Sequence, residues 1–347
     1  MPSQLFDPDT LEQVVTGFAW VEGPAWLPDR SVLRFSDVKN NAVVDYDPAT
    51  SSTRIVSDAA EFTNGRTVGP DGSVVECSHG RRALQIDDAS PARSTPPRAG
   101  YVGSPSPDAL PAYAPRVLVD RFGPRRLNSP NDVVVRSDGT IWFTDPSYGI
   151  KRPEEGHGGE EEYGDRYVFR FDPADGSLTP VVIDIEAPNG LAFSPDELTL
   201  YVSDTSLNPA DADRPVPGRP RGHAIHAYDV AGGRHAKNGR VLAVIDPGVP
   251  DGFRVDAEGR IWTSSASGIQ VLDTDARPLA DLPVPEVVAN CCFGDADGRT
   301  LYICATTSIY RVRTTTTDAR TLAYRTRGPS SGSMRLPAPV PPTMQAR

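Results

Sequence analysis

A chain of 347 residues with 35 basic and 46 acidic side chains carries a net charge of −11, which opposes the counterion-release attraction that draws proteins to nucleic acid or anionic membranes. Its 35 prolines and 30 glycines disfavour long helices, while 38% hydrophobic and 23% charged residues are ordinary for a folded chain with a substantial core. The longest apolar runs are strand-sized, such as residues 133–135 and 200–202, far short of the roughly 18 residues that cross a bilayer.

Residues 1–7 carry neither the basic cluster nor the apolar stretch of a secretory signal, so a cytoplasmic protein is expected, with residues 1–13 read as a separate N-terminal segment. From there one motif recurs: an apolar stretch, a tight turn around an acidic residue, and a β-rich return strand. In chain order the turns are Pro28-Asp29-Arg30, Pro70-Asp71-Gly72, Ser137-Asp138-Gly139, Pro195-Asp196-Glu197, Ala257-Glu258-Gly259 and Ala296-Asp297-Gly298. The return strands cover residues 32–36, 73–77, 140–144, 198–203, 260–264 and 299–304. Residues 167–173 and 224–229 read as later strands equivalent to residues 43–48. Between these elements, residues 87–116, 151–166 and 207–222 are rich in Pro, Ser, Gly or Glu and read as inserted loops. Residues 326–347 lack strand periodicity and read as a disordered Pro-rich tail. Six hairpins at propeller-like spacing predict an all-β fold, a six-bladed β-propeller over residues 14–325. The four cysteines, Cys77, Cys291, Cys292 and Cys304, form no C-x-x-C pair and read as buried thiols.

Counting back seven residues from the acidic residue of each turn gives Glu22, Asn64, Asn131, Asn189, Asp251 and Asn290. Every one carries a side-chain oxygen. Equivalent positions of a propeller surround one axis, so the six converge if the strand entering each hairpin is the innermost. Carboxylate and amide oxygens without Cys or His suit a hard cation, Ca²⁺ above all, although Mg²⁺, Mn²⁺, Fe²⁺ or Zn²⁺ also enter oxygen sites according to supply. Glu22 and Asp251 would match a divalent charge. Two plainer readings stand beside this one: Asn64-Gly65, Asn189-Gly190 and Asp251-Gly252 are turn-forming dipeptides, and a polar column can serve only to hydrate a channel.

The return strands end on a second polar set, in which His79, Asp145 and Asp204 are candidates to orient the column's amides and carboxylates. His157, within Glu154-Glu155-Gly156-His157-Gly158-Gly159-Glu160, reads as a solvated loop residue or part of a lid. Outside the Pro-rich tail the chain contains no G-x-S-x-G elbow, and throughout it has no H-E-x-x-H and no phosphate-binding G-x-x-x-x-G-K-[S/T] loop.

The segments Val21-Glu22-Gly23-Pro24-Ala25-Trp26, Arg126-Leu127-Asn128-Ser129-Pro130-Asn131-Asp132-Val133, Ile141-Trp142-Phe143-Thr144-Asp145-Pro146-Ser147-Tyr148-Gly149, Pro188-Asn189-Gly190-Leu191-Ala192-Phe193-Ser194-Pro195-Asp196 and Pro250-Asp251-Gly252-Phe253 occur in that order. Together they resemble the gluconolactonase family, also called the SMP-30/gluconolactonase/luciferin-regenerating-enzyme-like family, over residues 14–313. The resemblance implies a six-bladed propeller with one catalytic divalent metal, commonly Ca²⁺, in its channel, and hydrolysis of sugar lactones. It places the metal ligands on Glu22, Asn131, Asn189 and Asp251, and leaves Asn64 and Asn290 to contact substrate or water. Some members bind substrate with an Arg two residues before the middle Asn ligand; that position here is Ser129, so Arg126 and Asn128 are the nearest substitutes. The implied partner is a small-molecule lactone, with Asp251 as base toward water or as direct nucleophile. Alternative expectations are hydrolysis of non-sugar lactones or phosphotriesters at the same site, and a non-enzymatic ligand-binding propeller with a structural metal.

Overall fold

The computed structural model describes residues 5–87, 113–208 and 222–320. Each sequence repeat opens a four-stranded antiparallel sheet, and the six sheets form a six-bladed β-propeller. The first blade comprises Val21–Leu27, Val32–Asp37, Ala42–Asp47 and Ser52–Ser57, and the second Thr63–Val68, Val74–Ser78, Ala83–Asp87 and Arg116–Val119. The third runs through Val133–Val135, Ile141–Asp145, Tyr167–Asp172 and Ser177–Val182, the fourth through Pro188–Phe193, Thr199–Asp204, Ala224–Ala231 and His235–Val244. The fifth holds Phe253–Val255, Ile261–Ser265, Gly268–Leu272 and Pro278–Pro283. In the sixth, Val288–Gly294, Thr300–Ala305 and Ser308–Thr314 are followed by a strand from the other end of the chain, Phe6–Thr16.

That last pairing closes the ring by backbone hydrogen bonds, with Phe6 opposite Thr314 and Thr16 opposite Ser308. Residues 6–13, set apart in the sequence reading, therefore lie inside the sixth blade. Their register slips between Asp7 and Glu12 and again between Gln13 and Val15, so the alternation that marks a strand is broken just there. Residues 326–347, and most of the loops read at 87–116 and 207–222, lie outside the described residues.

Alternating apolar side chains pack between blades rather than within one sheet. Leu33 and Phe35 of the first blade meet Tyr302 and Cys304 of the sixth, and Val75 and Leu84 of the second meet Ile141 and Phe143 of the third. Trp142 packs with Leu191 and Phe193, Ile225 with Phe253 and Ile261, and Trp262 with Phe293 and Leu301. All four cysteines are buried and unpaired. The junction of the first and second blades is built differently. There the buried Arg34 binds Asp45 at 2.7 Å and Asp87 at 2.8 Å, and Arg66 binds Glu76 at 3.0 Å while donating to the Gly23 carbonyl at 2.5 Å and Ser36 Oγ at 2.6 Å.

Beyond the sixth blade the chain continues across the turn end of the ring. The Ala257 N–H donates to the Thr317 carbonyl at 2.8 Å, Asp318 bridges to Asp256, Ala319 packs with Phe253 and Val255, and Arg320 binds Thr67 Oγ1. Thr67 is in the second blade and Asp256 follows the first strand of the fifth, so residues 317–320 pass between opposite sides of the ring.

Candidate functional site

The first strands of neighbouring blades lie against one another all the way round, and the six-residue column stands at their entrances. Glu22, Asn64, Asn131, Asn189 and Asn290 are buried, whereas Asp251 is partly exposed. The Asn131 amide donates to Asn189 Oδ1 at 2.6 Å, and the Asn290 amide donates to Glu22 Oε2 at 3.0 Å. His79 Nε2 lies 3.0 Å from Asn131 Oδ1 and 3.5 Å from Asn64 Nδ2. Side chains from all six blades thus gather around one axis, as the shared offset predicts.

The glycine after four of the column residues has a packing role. A Cβ on Gly23, Gly65 or Gly190 would overlap the backbone of Asn64, Asn131 or Asp251 in the next blade, and one on Gly252 would overlap the Asn290 side chain. Asn64-Gly65 and Asn189-Gly190 sit within strands, so the turn reading of these dipeptides gives way to close blade contact. Register shifts between Glu22 and Ala25, Thr63 and Arg66, and Pro188 and Leu191 bracket the same positions. Such bulges re-aim a side chain, here toward the channel. Hydroxyls from the preceding blade then fix the backbone: Ser36 donates to the Asn64 carbonyl at 3.1 Å, Thr144 to Asn189 at 2.7 Å and Ser203 to Asp251 at 2.8 Å. Their sequence signal is a Ser or Thr directly before the Asp that ends the return strand, as in Ser36-Asp37, Thr144-Asp145 and Ser203-Asp204.

Electrostatics at the column are dominated by burial. Desolvation raises the Glu22 carboxyl to about 7, against the lowering effect of the Gly23 N–H and the Asn290 amide, with Asp132 and Glu155 adding repulsion. Asp251 is pushed well above the usual carboxylate range by burial first and by Glu22 second. His79 is fully buried, and desolvation holds it below its ordinary value, toward the neutral form. Among the described residues no group of three or more His, Cys, Asp or Glu side chains is placed to hold a metal ion; the column offers two carboxylates and four amides instead.

Of the three candidates on the return strands, His79 alone meets the column in these contacts. Asp145 accepts from the Asn128 N–H at 2.8 Å and the Tyr163 hydroxyl at 2.7 Å, and Asp204 accepts from the N–H groups of Ala187 and Ser206. They hold loop backbone, and burial raises them to about 7 and about 6. The structure also directs Arg126 and Asn128 elsewhere. Arg126 Nη2 donates to the Arg81 carbonyl at 2.8 Å, and the Asn128 amide is engaged by the Asp145 carbonyl, the Tyr163 hydroxyl and the Asp165 carbonyl.

Above the column sits the helical turn Tyr148–Lys151, which leads into the segment 151–166 read from the sequence as an inserted loop. Gly149 presses on His79 and Ser129, where a Cβ would overlap the imidazole's Cβ, and its N–H donates to Ser129 Oγ at 3.0 Å. The Tyr148 hydroxyl lies 2.5 Å from Thr205 Oγ1 of the fourth blade. His79 Nδ1 donates to the Glu155 carbonyl at 3.1 Å, and Arg152 binds Glu155 Oε1 at 3.1 Å while stacking on the Tyr148 ring at 4.8 Å. A cavity of about 870 Å³ lies at the opposite, turn end of the ring, lined by Trp26, Arg30, Asp71, Asp295 and Arg320 and by none of the column residues.

A family model described as the SMP-30/gluconolactonase/LRE-like region matches residues 20–307. The chain belongs to this family. Similar proteins include the gluconolactonase of Zymomonas mobilis, 30% identical over 329 residues, with 88% of this chain and 82% of the relative covered. The pentonolactonase of Haloferax volcanii is 27% identical, covering 81% of this chain and 80% of its own. A solved gluconolactonase structure from Xanthomonas campestris superposes with a TM-score of 0.74 at 32% identity, over 88% of this chain and 89% of that one. In this member of the SMP-30/gluconolactonase/LRE-like family, the aligned column and His79 form one polar cluster at the channel entrance, while Arg126, Asn128, Asp145 and Asp204 serve the loops around it.

Proposed function

We propose that this protein opens the ring of a sugar lactone at the column, with one divalent cation, Ca²⁺ by preference, held by Glu22, Asn131, Asn189 and Asp251. The observation that carries the reading is the pair Glu22 and Asp251: two carboxylates, raised by burial and by Asp251's exposure to the charge of Glu22, among amide oxygens and without a thiolate or imidazole in the column. That donor set fits a hard cation. When bound, such an ion supplies Lewis acidity for the lactone carbonyl and countercharge for the developing oxyanion.

The chain's own residues do the rest. Asp251 keeps an exposed edge at the entrance and takes a proton from the attacking water as the new C–O bond forms. The ring C–O bond then breaks, and the same proton returns to the departing ring oxygen, which leaves an open hydroxy acid. Asn64 and Asn290 orient lactone or water from neighbouring blades. His79 sets the Asn131 amide: with Nδ1–H committed to the Glu155 carbonyl, a neutral imidazole offers Nε2 as an acceptor. A half-turn of the Asn131 amide places its NH₂ on that nitrogen and turns its Oδ1 toward Asn189 Oδ1 in place of the present bond, leaving two oxygens that a cation would hold.

Metal analysis coupled to a pH-stat screen of gluconolactone, xylonolactone, dihydrocoumarin and an organophosphate tests the proposal. Sugar lactones are expected to be turned over fastest, with loss of activity in chelator and recovery with Ca²⁺. Asp251→Asn and Glu22→Gln are expected to lower kcat/KM by about a thousandfold or more without unfolding the propeller. Near-normal rates in either variant, or preference for the organophosphate, would overturn the assignment.

A further inference from the structure

We propose that Arg152 and Glu155, hung over the column by the Tyr148–Lys151 turn, read adjacent hydroxyls on the lactone ring and so select polyhydroxylated lactones over bare ones. The inference rests on the lactonase reading above and names its substrate class. Three observations place the pair. The Tyr148–Thr205 contact and the packing of Gly149 on His79 and Ser129 fix the turn across the second, third and fourth blades. The Glu155 carbonyl is bound to His79, which itself touches Asn131 and Asn64. The Glu155 charge is felt at Glu22 in the first blade, Asp251 in the fifth and His79 in the second, and Arg152 is the cation that offsets repulsion at Asp251.

The chemistry of the pair suits a diol. A hydroxyl both donates and accepts, so two neighbouring hydroxyls can accept from a guanidinium N–H and donate to a carboxylate oxygen held beside it. Stacking on Tyr148 and the 3.1 Å bond to Glu155 Oε1 pre-orient the guanidinium plane. The Arg152 side chain keeps 22% of its surface accessible, while that of Glu155, at 8%, is largely withdrawn from water, where charge-assisted bonds discriminate best. Nearby, the Arg126 guanidinium and Asn128 Nδ2 bind loop carbonyls while Asn128 Oδ1 has no hydrogen-bond partner among the described residues, and Ser129 Oγ donates to the Pro146 carbonyl at 2.7 Å.

The test compares glucono-δ-lactone with δ-valerolactone, which has the same ring without hydroxyls, on metal-loaded wild type, Arg152→Leu, Arg152→Lys and Glu155→Gln, with melting curves to confirm folding. The ratio of kcat/KM for the two lactones is expected to fall about tenfold or more in Arg152→Leu, mainly through KM for gluconolactone, with smaller falls in Arg152→Lys and Glu155→Gln. D-glucitol, an unreactive polyol, is expected to inhibit wild type and to lose affinity in Arg152→Leu. An unchanged ratio, or equal losses on both lactones, would assign the pair to loop support and overturn the proposal. If Arg152→Leu does not fold, Glu155→Gln, which keeps the side chain's shape, decides the matter by the same ratio. Wild type inert toward both lactones would instead sink the lactonase reading itself.

Discussion

Glu22 and Asp251 give the protein a pH response whose sign can be stated. The folded chain keeps a proton on Glu22 up to about 7, against an ordinary value of 4.5. Its contribution to stability is therefore complete below about 4.5 and is lost as pH rises through about 7. Asp251, Asp145, Asp204 and Asp132 are shifted the same way; His79 and His226, held low, act in the opposite direction but are two groups against five. Metal-free protein is thus expected to melt higher at pH 5.5 than at pH 8, by an amount on the order of a few kcal/mol of stability. Added Ca²⁺ is expected to raise the melting temperature more at pH 8, because its ligands must be deprotonated. Melting curves at the two pH values, with and without the ion, check both statements, and a larger Ca²⁺ effect at pH 5.5 would contradict them. At this scale the column was legible because a fixed offset from the turns survives loops of any length. The glycines beside it were not, since Asn-Gly looks the same in a turn and in a bulge pressed against the next strand. Arg126 and Asn128 were picked for their nearness in sequence to Asn131, yet each spends its side chain on loop carbonyls.

Among the blades, the junction of the first and second stands apart because Arg34 and Arg66 take the place that Leu, Ile, Val and aromatic side chains fill elsewhere. Removing a buried cation strands its carboxylates. Arg34→Ala is expected to cost about 3–5 kcal/mol, read as a lower denaturant midpoint, because Asp45 and Asp87 lose their shared partner; a loss below about 1 kcal/mol would mean that their other contacts, among them Arg54 on Asp45 at 2.7 Å, compensate. The hairpins themselves were plain in the sequence, with their turn residues and β-branched return strands. Phe6–Thr16 was not: Asp7-Pro8-Asp9 and two register slips erase its alternation, and its partner Ser308–Thr314 lies at the far end of the chain, where no local signal points to it.

Over the whole molecule, repeat counting sufficed for the number of blades, but not for what happens at the two ends of the ring. Those depend on contacts between distant residues: the Tyr148–Lys151 turn over the column at one end, and at the other the run of Thr317, Asp318, Ala319 and Arg320 from the fifth blade to the second. The second of these lies across the turn end of the ring, on the side away from the column. On the lactonase reading proposed above, lactone and hydroxy acid share the column end as their doorway, and the spent product occupies the place that the next substrate needs. Gluconate is accordingly expected to inhibit competitively, with initial-rate plots showing a raised KM and an unchanged kcat, and a noncompetitive pattern would place its binding away from the column.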